Sequence, residues 1–207
     1  MESNSKKKIN QELPPGATPL TAEDLEGLLP KYITTRAELN DAEFKNISEA
    51  SKKYFLSRKS FQFTIGDLYR VHKEMFGHVW KWAGKKRVTE KNIGVDKAQI
   101  DIELKKLLDD LEYWLRKNTH LVETSARLHH RLVLIHPFNN GNGRWGRFIV
   151  NLFLKDHLNS YLDFTEDQLL IKTKIRKLYI AALREADSLN YKPLIDLHKK
   201  YISNSSI

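Results

Sequence analysis

Cysteine is absent from the 207 residues, so neither disulfides nor thiolate metal sites contribute to this fold or its chemistry. No run of about 18 apolar residues is present either, and the expectation is a protein with no membrane partner. Met1 to Lys8 are polar and lysine-rich, without the apolar stretch of a secretion signal, which points to a cytoplasmic protein. Proline is scarce and uneven: Pro14, Pro15 and Pro19 fall together around Gly16, so residues 1–20 read as an extended or disordered lead-in. No internal repeat is visible. The length suits one well-buried domain.

Charge is what the chain has in excess, at +9 with a pI near 9.5. Such a balance raises nucleic acid as a partner, because basic surfaces attract phosphate backbones whatever the fold. The distribution argues against it. Basic residues come in scattered groups, Lys6 to Lys8, Lys52 and Lys53, Lys85 to Arg87, Lys172 to Lys177, Lys199 and Lys200, interleaved with acids. That is the pattern of a solvated helical surface, and neither a helix-turn-helix nor an aromatic stacking motif accompanies it.

Apolar periodicity marks helices through most of the chain. Thr21 caps a short helix from Ala22, and Thr34 or Thr35 caps another running toward Tyr54. Thr64 opens a third with Leu68, Val71, His72 and Met75 inward. Between Gly77 and Ile100 the helical period fails, and Trp80, Trp82, Gly84, Val88, Ile93, Gly94 and Val95 suggest a loop with a short β-hairpin. Further helices are expected over about 98–118, 123–135, 147–158, 166–186 and 191–201. The fold class is therefore all-α, a helical bundle with one short β-hairpin.

Residues 136–147 carry the chemistry. One titratable base, His136, stands beside Gly141 and Gly143, with Arg144 and Arg147 following three apart on a helix. Pro137 biases His136 away from the α region, so the preceding helix should stop there and leave the imidazole at the mouth of the loop. The glycines let backbone amides approach an anion at the start of the next helix, and two guanidiniums can grip further oxygens. The layout is that of a phosphate-handling site.

The same stretch resembles the Fic family signature, His-Pro-Phe-x-(Asp/Glu)-Gly-Asn-Gly-Arg-x-x-Arg. His136, Pro137, Phe138, Gly141, Asn142, Gly143, Arg144 and Arg147 agree, and Asn140 departs from the family's acid. The resemblance implies three segments: a lead-in over 1–20, an N-terminal helical segment over 21–60, and a Fic (Fido) domain over 61–202. The proline-rich lead-in and the helix after it resemble the subgroup labelled mobile mystery protein B, found on bacterial mobile elements, a label without an assigned activity.

For such a protein the resemblance implies transfer of AMP from ATP to a Ser, Thr or Tyr hydroxyl of a target protein, the chain itself included. His136 is the implied base. Gly141, Asn142 and Gly143 would hold the α and β phosphates, Arg144 the β and Arg147 the γ, with Mg²⁺ or Mn²⁺ as the ion. Phe138 packs beneath the loop. Asn140, the weak candidate for a metal ligand, offers one neutral oxygen where magnesium prefers an anionic one. Transfer of another phosphate-linked group, removal of AMP, and a nucleotide-binding pseudoenzyme therefore stay open beside AMP transfer.

Two segments outside the signature extend the likeness. Trp80 to Val95 resembles the Fic flap, which pairs with an extended stretch of the target and sets its hydroxyl beside the base; Asn92, Ile93, Gly94 and Val95 are the implied target-binding residues, with Ile93 near the tip. Thr34 to Asn40 resembles the inhibitory motif Ser/Thr-x-x-x-Glu-Gly/Asn, with Thr34 and Glu38 fitting and Leu39 departing. There the glutamate pairs with the second signature arginine, here Arg147. Two readings from other classes are weaker: a metal-dependent hydrolase built on His129, His130 and His136, and a basic nucleic-acid-binding regulator.

Overall fold

Threonine begins three of the helices. In the computed structural model, which describes residues 20–163 and 174–204, α1 (Ala22–Glu26), α2 (Arg36–Phe55) and α3 (Ile65–Phe76) start after Thr21, Thr35 and Thr64. Each threonine hydroxyl accepts the amide N–H three residues on, from Asp24, Glu38 and Asp67. A cap of this kind is worth about 1 kcal/mol, enough to fix where a helix starts. A 3₁₀ turn, Lys97–Gln99, leads into α4 (Ile100–Arg116), and α5 (Leu121–Ile135) and α6 (Asn142–Leu158) follow. Strand β1 (Ser160–Leu162) precedes α7 (Lys174–Asp187), α8 (Lys192–Tyr201) and β2 (Ile202–Asn204).

The core is built around the α5–α6 pair. Leu128, Leu132 and Ile135 of α5 face Trp145, Ile149, Leu152 and Phe153 of α6, all essentially inaccessible to solvent. Helix α4 covers α5 with Ile100, Leu104, Leu107 and Leu111, and α3 adds Leu68, Val71, Met75 and Phe76. On the far side α8 seats Leu194 and His198 against α5. The α5–α6 turn is thus held from three sides, and it contains the signature.

The fold is mostly helical, as expected, but its sheet lies elsewhere than expected. β1 pairs antiparallel with β2, Ser160 opposite Asn204 and Leu162 opposite Ile202. Residues 77–96 form turns and bends, with only an isolated bridge between Leu28 and Trp80. The reason lies in the hydrogen bonds: the carbonyls of Thr89 and Val95, which a hairpin would pair across its strands, are taken by the side chain of Arg87. Helix α6 also starts five residues earlier than the apolar period suggested, because Asn142 rather than Arg147 enters helical geometry. The expected lead-in, up to residue 19, and residues 166–173 of the expected seventh helix lie outside the described residues. No helix among the described residues is long and apolar enough to cross a membrane.

Candidate active site

His136 terminates α5 in a left-handed conformation, φ 53° and ψ 58°, rather than the extended one favoured before proline. The left-handed residue turns the chain sharply out of the helix. It leaves the imidazole buried, with the residue only 5% exposed. Burial pushes its pKa down to about 4, against a hydrogen bond donated to the Val133 carbonyl that acts upward and with the positive charges of Arg87 and Lys91 acting downward. The ring is therefore neutral at physiological pH, the state a proton acceptor needs.

Beyond Pro137 the chain folds over an aromatic floor. Phe138 stacks on His72 at 3.6 Å between ring centroids and meets Trp145 and Tyr69 edge-on, as its expected packing role requires. His72 was legible in the sequence only as an inward residue of α3, and it does more. Its Nδ1 accepts the Gly84 amide (3.0 Å), so Nε2 carries the proton and donates to the Asn140 carbonyl (3.1 Å). Burial holds its pKa near 3 and keeps that arrangement neutral. His72 thereby fixes the peptide that opens the glycine turn.

Gly141 takes φ 80°, and a Cβ there would lie 2.8 Å from the Phe76 ring, so both conformation and space demand glycine. It caps α6 without any side-chain bond to the first-turn amides, which stay available to an anion. Asn142 plays a different part from the phosphate ligand expected of it. Its side chain is buried and bonded twice to one residue, Oδ1 accepting the Phe138 amide and Nδ2 donating to the Phe138 carbonyl, each at 2.9 Å. The residue closes the loop on itself.

The two arginines diverge. Arg147 reaches back over the glycine turn, its Nη1 3.5 Å from where a Gly143 Cβ would stand. Arg144 turns toward α2 and α3, lies over the Phe76 ring at 4.8 Å and donates to Glu43 at 2.6 Å. Glu43 is buried, and its other oxygen accepts the Trp80 indole N–H at 2.6 Å. Sequence reasoning missed Glu43. It fits no inhibitory motif, and only its place on the inner face of α2 with Leu39 marks it.

Glu38 requires a correction. Its carboxylate accepts the Thr34 and Thr35 amides (2.7 and 2.9 Å) and the Thr34 hydroxyl, and those backbone bonds first of all bring its pKa down to about 2. All of its partners sit at the start of α2, so it does not reach Arg147. The Leu39 departure from the motif coincides with a capping box.

The segment expected to form the flap lies directly against His136. Gly94, at φ 108°, leaves its missing Cβ only 2.7 Å from the His136 Cβ, so flap backbone touches the histidine. Asn92 and Ile93 are exposed beside it, Ile93 at 41%, and Val95 is half-buried. From the other side Lys91 pairs with Asp24 of α1 at 3.0 Å, both side chains nearly inaccessible. Trp82 donates to the Asp24 carbonyl and stacks on Trp80, consistent with packing rather than target contact.

Neither a protein-built metal site nor the hydrolase reading fits. Asn140 Oδ1 already accepts the Gly141 amide at 2.8 Å, and among the described residues no three acidic or histidine groups converge as ligands. His129 binds His198 and Tyr179 through its two nitrogens, and His130 binds Asp187 and Tyr191. Neither shares a site with His136.

Residues 62–154, from the loop before α3 to near the last turn of α6, match the Fic/DOC family. This segment is a Fic domain. Among curated relatives, protein adenylyltransferase Fic of Nematostella vectensis is 33% identical over 104 residues, 48% of this chain and 24% of that protein. The Aedes aegypti protein of that name is 29% identical over 137 residues, 57% of this chain and 28% of the relative. The chain thus spans about a quarter of the length of the curated relatives it matches. Two solved Fic structures share the fold at 22% identity. One is the N-terminal Fic domain of a VirB-translocated Bep effector from Bartonella quintana, with TM-score 0.67, 84% of this chain and 86% of that one. The other is BepC from Bartonella tribocorum, solved with bound AMPPNP, with TM-score 0.65, 94% and 97%. The Fic match ends within α6, so the Arg147 turn lies inside it and α7, α8 and the β1–β2 sheet lie beyond.

Proposed function

We propose that this Fic domain transfers AMP from ATP to a Ser, Thr or Tyr hydroxyl of a protein. The observation that carries the reading is one juxtaposition: a neutral, buried imidazole at the end of α5, flap backbone in contact with it, and an uncapped helix start one turn of chain away. His136 takes the proton of the target hydroxyl as its oxygen bonds to the α-phosphorus. The bond from that phosphorus to the bridging oxygen breaks, and pyrophosphate leaves. The amides at Asn142 to Arg144 face the charge that builds on the phosphates, and such preorganised donors are where most catalytic stabilisation arises. Arg147 serves the terminal phosphates. Asn92 to Val95 hold the target chain beside the base. The names of the curated relatives, and the AMPPNP bound to a protein of the same fold, support ATP as the substrate.

Asn140 favours a second reading. With a neutral oxygen in place of the family's acid, the protein contributes little to a divalent ion, which would arrive with the nucleotide's own phosphates. Transfer of a different phosphate-linked group fits the same site. Restraint by the N-terminal segment passes from Glu38 to Glu43, which occupies Arg144 until phosphate competes for it. The deciding experiment offers α-³²P and γ-³²P ATP to the purified chain and to cell extract, in Mg²⁺ and in Mn²⁺. AMP transfer labels protein from the α position alone. Label from the γ position alone, or none with nucleotide bound, overturns it.

A further inference from the structure

Arg87 is a fully buried cation whose partners are almost all main-chain carbonyls. Nε donates to the His136 carbonyl at 2.8 Å, Nη2 to that of Val95, and Nη1 to that of Thr89 at 3.1 Å, with the Glu90 carboxylate 3.3 Å away. Its own amide N–H donates to the Pro137 carbonyl at 2.8 Å. One side chain thus joins both limbs of the flap to the two residues that open the signature. Gly94 lies under the same guanidinium, its missing Cβ 3.0 Å from Nη2 and 2.7 Å from the His136 Cβ.

Burying a guanidinium costs several kcal/mol that carbonyl dipoles only partly return, so pure stability is a poor reason for such an arrangement. Geometry is a better one. Five N–H donors in a rigid planar fork can hold three carbonyls at fixed angles, which the single ammonium of lysine cannot do. We propose that Arg87 is the positioning residue that locks the flap to His136, so that the segment holding the target and the imidazole receiving its proton move as one body. The proposal rests on the reading of His136 as the base. Arg87 touches neither nucleotide nor target; it acts by setting where the target hydroxyl lies relative to the ring, and small misplacements of reacting groups are costly.

The test compares the full chain with Arg87→Lys, Arg87→Met and Gly94→Ala. In nucleotide-free protein, hydrogen exchange at the amide of position 87, which donates to the Pro137 carbonyl, and an NMR titration of His136 report the lock without any need for activity. Both arginine variants should exchange faster at this amide while the α5 and α6 cores stay protected. The His136 titration should move upward in Arg87→Met, because a nearby positive charge is gone, and less in Arg87→Lys. In transfer assays ATP affinity should hold, and kcat should fall on the order of a hundredfold in Arg87→Lys, as for a misplaced nucleophile. Gly94→Ala, which pushes the flap off His136 with Arg87 intact, should cause a similar loss, and combining the two should add little. Unchanged exchange and titration in both arginine variants, or ATP affinity falling in step with kcat, overturns the lock. Absence of transfer by the wild-type chain overturns the proposed reaction instead, and the exchange data still decide the role of Arg87.

Discussion

As the proposed base, His136 meets two opposed demands, since it must be neutral to accept a proton yet basic enough to hold it. Burial and the charges of Arg87 and Lys91 settle the matter toward neutrality, with a pKa of about 4 against an ordinary value of 6.5. The base is lost only as pH falls through that lower value, so kcat/KM for transfer should show no acid limb between about pH 8 and 5.5. A limb near 6.5 in a pH–rate profile would mean the ring is solvated in the working enzyme. Asn142 makes a different demand. Its two bonds satisfy the buried amide and carbonyl of Phe138, and leaving a buried polar group unmet costs about 1–3 kcal/mol. Asn142→Ala should therefore lower unfolding stability by about 2–5 kcal/mol in urea and weaken ATP binding through the loosened loop. An aspartate there keeps the acceptor and loses the donor, and should fall between. Full stability in Asn142→Ala would show the loop is held from below by His72 and Phe138 alone.

Of the three glutamates of helix α2, Glu38 and Glu43 stand five residues apart, and of these two only Glu43 faces the signature. Glu38 is spent on its own helix start, whereas Glu43 lies between Arg144 and Trp80. Replacing Glu38 with glycine should leave ATP affinity unchanged. Glu43→Gln keeps an acceptor for Trp80 but removes the charge that occupies Arg144, and ATP should bind roughly ten- to 150-fold tighter, the equivalent of a charge-assisted bond of about 1.5–3 kcal/mol. Calorimetric titration of both variants separates the cases; tighter binding by Glu38→Gly and not by Glu43→Gln restores the motif-based assignment. This difference shows where sequence stops being informative. The helices were legible because caps and apolar spacing are local: Thr21, Thr35 and Thr64 each act within one turn. Identity, spacing and glycine content likewise exposed His136 and the turn after it. Glu43, Asp24, Lys91 and Arg87 each have a partner 49 to 101 positions away along the chain, and nothing beside them in the sequence records it. The flap misled for a local reason: alternation of apolar residues suggested a hairpin, and the side chain of Arg87, within the same segment, took its carbonyls.

At the scale of the whole molecule the positive charge is dispersed, and part of it is paired along helices, as between Lys105 and Asp109 or Lys192 and Asp196, so it bears on solubility more than on fold. The response to acid has another origin. Ser125 gives its proton to the Val122 carbonyl, so His198 Nδ1–H must donate to Ser125; His198 Nε2 then accepts from His129 Nδ1–H, and His129 Nε2 accepts from Tyr179. The chain links α5, α7 and α8, and every proton in it has one place. Protonating His198 at Nε2 sets N–H against N–H across 3.0 Å, and protonating His129 at Nε2 sets N–H against the Tyr179 hydroxyl, which must turn to accept it. Burial accordingly holds His198 near 3, His72 near 3 and His129 well below 6.5. A histidine whose folded pKa is depressed contributes stability that is complete above the unfolded value of about 6.5 and is lost as pH falls below it toward the folded value. With His136, held near 4, four such groups give a slope of up to about 5 kcal/mol per pH unit, since each proton contributes about 1.4. Against a total stability of about 5–15 kcal/mol, that slope exhausts the fold within roughly one to three units below pH 6.5. Urea midpoints should therefore be flat from pH 8 to 7 and fall steeply from 6 to 4. His198→Gln offers one donor and one acceptor in place of the ring and does not titrate, so its slope should be shallower by about 1.4 kcal/mol per pH unit. A midpoint that holds level from pH 7 to 5 in the wild type would show that these rings reach solvent, and that the three helices are joined by apolar packing alone.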